Sequence, residues 1–189
     1  MRFVAILLSL ALVVQSAWAA PVVGRQDDLT LYQLQISSPG HAEIDGRWIA
    51  SNGSTLGLFV EDQPPVQVFT LESEKKGLVE LHTYPIGIVD HALGLHGPPG
   101  LLTFVDLPNP KMGDPEDGTV KVWDTFRVSD GKLVNEGEGE WCAFPLQTGG
   151  WVVKWYDGSL AIIANYMPVE ILMREVDKAT TTTLIAERQ

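Results

Sequence analysis

Several stretches of this chain hold residues whose types and spacing could do chemistry. Asp90 and His91, followed by His96, put a carboxylate and two imidazoles into a stretch rich in proline and glycine. A metal ion would need two or three such ligands converging within about 2–2.2 Å. A hydrolase would need one histidine held beside a carboxylate. No His-Glu-x-x-His spacing is present, so the expectation is solvated loop histidines, with no metal and no cofactor. Asp114, Glu116 and Asp117 cluster in an Asp-Pro-Glu-Asp-Gly loop. Calcium takes such oxygen ligands, but the spacing is not that of the twelve-residue calcium loop, and a solvated acidic turn is expected. Glu136, Glu138 and Glu140 alternate with glycine. A glycosidase pair needs two carboxyl groups in different environments flanking one bond, whereas these three share one exposed turn. No Ser-His-Asp elbow, phosphate loop or dinucleotide fingerprint occurs, so no catalytic residue is assigned.

Cys142 is the single cysteine, so an internal disulfide is impossible. It lies in the apolar run Trp141 to Phe144, where a buried, inert free thiol is expected, with an intermolecular disulfide as the alternative. All four histidines lie in the first half of the chain, and nothing places one beside it as a base. Trp123, Trp141, Trp151, Trp155 and Tyr156 crowd one region of the chain. In a strand, Trp151, Val153 and Trp155 point to one face. Such rings either fill a core or form an exposed platform for a sugar or a protein. On the second reading Trp123, Trp151, Trp155 and Tyr156 are the candidate binding residues.

The elements that must position these residues read as strands throughout. Leu31 to Ile36 alternates. Ala42 to Ile44, Arg47 to Ser51 and Leu56 to Val60 are short runs set off by Asp45-Gly46 and Asn52-Gly53, both hairpin signals. Val66 to Leu71 and Leu78 to Thr83 follow. Tyr84 to Gly100 reads as a long loop with at most one short strand, Leu101 to Val105 as a strand, and Leu107 to Gly118 as a second long loop. Val120 to Val128, Lys132 to Val134, Trp141 to Phe144, Val152 to Trp155, Leu160 to Ile163 and Pro168 to Met173 complete the series. Strands at this spacing with glycine turns predict an all-β fold in one compact antiparallel domain. A barrel-like or β-trefoil-like form is preferred, because closure removes edges, and a β-sandwich is the alternative. The phrase from Asp45 to Leu58, echoed loosely from Phe126 to Leu133, has the rhythm of a trefoil hairpin.

The first residues have the form of an export signal: Arg2, the apolar run Phe3 to Val14, and Ala17-Trp18-Ala19 before a cut. The expected plan is a signal peptide at 1–19, an all-β domain at 20–174 and a flexible tail at 175–189, with the product secreted to the extracellular space or cell wall. No apolar run reaches the roughly 20 residues of a membrane span. A formal net charge of −11 argues against nucleic acid and anionic membranes as partners. Asn52-Gly53-Ser54 is an acceptor for N-glycosylation at Asn52.

Gly139 to Ala143, Trp151 to Gly158 and Pro168 to Ile171, with Asp45 to Ala50 near the start, resemble small secreted proteins of filamentous fungi. The similarity is to phialide-associated cell-wall proteins and a related uncharacterised secreted family. It implies a fungal, surface or extracellular protein without enzymatic activity, with a cell-wall polysaccharide or an extracellular protein as partner. It also implies a second cysteine just before the Pro-Val step, where this chain has Ala164 to Met167. The alternative is a secreted hydrolase whose site lies in the 84–118 loops and uses Asp90, His91 or His96 with an acid from 114–117.

Overall fold

The computed structural model describes residues 29–61, 63–113, 115 and 117–176. The expected leader, and residues 177–189 of the expected tail, lie outside the described residues. Thirteen strands follow in chain order: β1 (Tyr32–Ser37), β2 (Ala50–Asn52), β3 (Thr55–Leu58), β4 (Gln67–Glu72), β5 (Val79–Tyr84), β6 (His91–Gly97), β7 (Leu101–Pro108), β8 (Val120–Val122), β9 (Phe126–Ser129), β10 (Lys132–Asn135), β11 (Glu140–Pro145), β12 (Trp151–Tyr156) and β13 (Met167–Glu175). All pairings are antiparallel, and they close into a barrel.

Two closed circuits share this sheet. Nine strands run β1-β4-β5-β6-β7-β3-β12-β11-β13 and return to β1. A shorter circuit runs β1-β4-β5-β9-β10-β13 and also returns to β1. The hairpins β2–β3, β6–β7 and β11–β12 lie off this smaller ring, and β3, β7 and β12 pair with one another. Six wall strands with three mutually paired hairpins are the scheme of a β-trefoil. The Asp45 and Phe126 phrases are nevertheless not equivalent. The first ends in the hairpin β2–β3, whereas the second is the wall hairpin β9–β10.

Local chemistry explains the turns and the close approaches. Asp130 and Gly131 both take positive φ, 52° and 73°, and connect Ser129 to its partner Lys132. That is the geometry of a two-residue type I′ hairpin, whose twist matches that of its strands. In β3, a Cβ at Gly57 would collide with the carbonyl oxygen of Trp151. Glycine there lets β3 and β12 pair.

Alternation puts Leu34 and Ile36 of β1 inside, with their neighbours Gln33 and Gln35 half-buried. The centre is aromatic. The ring of Trp141 lies 5.0 Å from Phe104, 6.3 Å from Phe126 and 5.3 Å from Trp155. Its indole N–H donates to the Leu133 carbonyl at 2.9 Å, which satisfies the one polar group the ring carries.

Several expected elements differ. The 84–100 stretch contains a full seven-residue strand, β6, because Ala92, Leu93 and Leu95 are buried between β5 and β7. Ala42 to Ile44 is a turn, and Leu160 to Ile163 has no strand pairing. Val120 to Val128 is split into β8 and β9. The last strand runs to Glu175, opposite Tyr32, so the domain reaches into the expected tail.

Candidate functional site

Strand β5 sets up the site. Leu81 points into the core, and its neighbours Glu80 and His82 share the opposite face, as strand alternation requires. His82 is opposite Phe69 on β4 and Ala92 on β6, and its ring stacks on Phe69 at 5.7 Å. His82 Nε2 is 2.9 Å from Glu80 Oε2, and Nδ1 is 2.7 Å from Asp90 Oδ1. Glu80 and His82 are buried, whereas half of the Asp90 side chain is exposed. Both contacts are hydrogen bonds only if each holds a proton, either with both on the ring or with one on a carboxyl group. In either case the ring has no free lone pair, and it cannot serve as a general base without breaking a contact.

Asp90 closes the loop 85–90 against β5 and leads into β6. His91, the first residue of β6, pairs with Pro108, and its Nδ1 reaches Asp106 Oδ1 at 2.9 Å. Asp106 is two residues from the direct partner of His91, which is the diagonal neighbour across an antiparallel pair. His82, Asp90, His91 and Asp106 all line one cleft of about 950 Å³. Its other walls include Phe69, Tyr84, the Pro64-Pro65-Val66 segment, and Ile86, Ile88 and Val89. Ile88 stands wholly in solvent at 107%, with Ile86 at 47% and Val89 at 44%.

His96 is at the far end of β6. Five strand residues span about 16 Å, so His91 and His96 cannot share a ligand. His96 faces a shallower depression with Asp117 and Lys121. The hydroxyl of Thr119 donates to Asp117 Oδ1 at 2.6 Å and meets His96 Nε2 at 3.1 Å. The Thr119 backbone N–H also donates to Asp117 at 3.0 Å. These bonds hold the Asp117 carboxyl below the usual carboxylate range. The Lys121 ammonium donates to the carbonyls of Met112 and Gly113. This set ties down a long loop. Asp114 and Glu116 lie outside the described residues. Among the described residues, no three His, Cys, Asp or Glu side chains are grouped to hold a metal ion.

The structure places the four candidate binding rings in different surroundings. Trp155 is 5% exposed and packs edge-on against Trp141, so it offers no binding face. Trp151 is half-buried against the same core. Tyr156 faces the other side of β12, where a second cluster holds Cys142, Phe144 and Val152, and its hydroxyl donates to the Leu160 carbonyl at 2.5 Å. Trp123 is half-buried elsewhere, under the Lys111 ammonium at 5.7 Å. The reason is strand alternation: Trp151, Val153 and Trp155 face the main core, and Val152 and Tyr156 face the second cluster on the other side of β12.

Cys142 is a buried free thiol, and burial pushes its pKa up to about 12. Tyr166, in the stretch where the fungal resemblance implies a second cysteine, packs into this cluster and stacks on Phe144 at 5.2 Å. Glu136, Glu138 and Glu140 are exposed. Asn52 is exposed at the end of β2, which leaves room for a glycan.

Sequence reasoning did not pick out His82, Glu80 or Asp106. The available signal was Glu80-x-His82, two ionisable residues at strand spacing opposite an apolar Leu81. Comparison with protein-family models, curated proteins and solved structures gave no match.

Proposed function

We propose that this chain is a secreted, non-catalytic protein of the fungal cell surface or extracellular space, and that the cleft beside β5 and β6 receives a protein partner. One observation carries the reading: Ile88, fully exposed, lines with Ile86 and Val89 a cleft that also holds His82, Asp90, His91 and Asp106. Exposed aliphatic groups next to a cleft favour a protein contact. A sugar platform would need aromatic faces in solvent, and the candidate rings are buried or apart.

The test is retention of extracellular proteins and wall polysaccharides on the immobilised domain, comparing wild type with Ile88→Asp. The expected result is a protein retained by wild type and lost with Ile88→Asp, at an unchanged unfolding midpoint because Ile88 makes little burial. Retention of polysaccharide alone, or retention indifferent to Ile88→Asp, overturns it.

The second reading, a hydrolase, is favoured by the His91–Asp106 contact on the same cleft. Turnover of ester or glycoside substrates that disappears in His91→Gln would replace the first reading.

A further inference from the structure

The cleft proposed to receive a partner has a definite electrical character. Its described lining includes His82, Asp90, His91 and Asp106, and no lysine or arginine. Glu80 lies directly behind His82. Three carboxylates therefore face two imidazoles. Even with both rings protonated, the group keeps one negative charge in excess, and with a single ring protonated it keeps two. Asp90 is half exposed at the cleft, so its charge is presented to an occupant rather than hidden. Only one oxygen of Asp90 and one of Asp106 are taken by histidine. A carboxylate oxygen carries further acceptor sites that a cation could use.

The same lining is largely apolar: beside the polar Gln33, Ser51, Gln63, Gln67 and Thr83 it carries Phe69, Val66, Pro64, Pro65, Ile86, Ile88 and Val89. A cleft lined by both carboxylates and aliphatic groups discriminates by chemistry. A purely apolar segment would bury the carboxylates without compensation, which is unfavourable. An acidic segment would be repelled, and a simple polycation would leave the walls uncovered. We infer that the partner segment is a short basic-apolar peptide. Its lysine or arginine side chain meets Asp90 and Asp106, and its flanking aliphatic residues pack against Ile86, Ile88 and Val89. Long basic side chains suit such a site, because their methylene stems cover apolar surface while the charge reaches a carboxylate. The inference rests on the proposal that this cleft is the partner site, and it adds which chemistry fills it.

The test is an amide NMR titration of the isotope-labelled protein with four model peptides. They are acetyl-Leu-Lys-Leu-Lys-Leu-amide, its glutamate and glutamine analogues, and acetyl-Gly-Lys-Gly-Lys-Gly-amide, which has the same charge without the aliphatic groups. The expected result is saturable shifts from the leucine-lysine peptide centred on residues 83–91 and 106. The other three peptides should bind at least tenfold more weakly. Asp90→Asn should weaken binding about fivefold while the unfolding midpoint and the remaining spectrum stay close to wild type. If Asp90→Asn disturbs the fold, Asp106→Asn reads the same loss. Equal shifts at the cleft from the glutamate or glutamine peptide overturn the basic class and leave the cleft as the partner site. Shifts from any of the peptides that are spread over the acidic surface and unaffected by Ile88→Asp overturn both.

Discussion

The two concentrations of unusual residues in this molecule serve opposite ends. Around Trp141, four large buried rings meet, and the Trp141 indole N–H donates to a backbone carbonyl. Beside β5, five ionisable side chains make three mutual contacts next to exposed aliphatic residues. The aromatic region looks more like a binding site in the sequence, yet it holds the barrel together. The histidine region looks like ordinary loop and strand, yet it lines the cleft that we propose receives a partner. A ring is a contact face only where one side is left uncovered, and Trp141 and Trp155 lie on strand faces turned to the core.

Three measurements would break or sharpen this contrast. The largest effect is expected from Trp141→Ala, which empties the place where Phe104, Phe126 and Trp155 converge. Loss of a buried tryptophan costs about 3–5 kcal/mol, read as a lowered midpoint in urea. A change below about 1 kcal/mol would mean that the rings are not the support of the barrel.

Next is His82→Leu. It leaves the Glu80 carboxylate buried without its partner, and destabilisation by about 3 kcal/mol is expected. Adding Glu80→Leu should recover a good part of that loss, because the orphaned charge goes with it. If the double variant is no better than the single, the pair is not coupled and the cleft is built otherwise.

The smallest effect is at Cys142. Its pKa is raised from 9.0 to about 12 by burial, so the folded form keeps the thiol neutral where the unfolded chain would ionise. The stability this contributes is fully present below about pH 9 and is lost as the pH rises from there towards 12. A thiol reagent at pH 8 should leave the native protein unlabelled over hours and label it at once in denaturant. Rapid native labelling would show that the layer under Tyr166 opens easily.

Much of the fold was legible in the chain. Alternation in Leu31 to Ile36 and the turn dipeptides Asn52-Gly53 and Asp130-Gly131 required strands and hairpins, because period-two burial and positive φ are local properties. β6 was hidden because Pro85, Gly87, Gly94 and the Pro98-Pro99-Gly100 group gave its surroundings the composition of a loop. Gly94 is there because a Cβ would clash with the Leu107 side chain and the Val122 carbonyl, a demand of neighbours distant in sequence. Leu160 to Ile163 is the reverse case. It is apolar enough for a strand, but no partner strand is left for it, and Ile163 stands in solvent.

The candidate site was less legible, for a related reason. Asp90 and His91 were visible as a pair, but the partners that define them, His82 and Asp106, are set by cross-strand register between β5, β6 and β7. What the amino-acid order determined alone is the all-β character, the position of many turns and a supply of apolar residues sufficient for one core, since each depends on a residue and its near neighbours. What only the closed barrel decided is which rings are covered and which carboxylates meet which histidines. Burial and charge pairing depend on distances between strands that the chain brings together only when the sheet returns to β1.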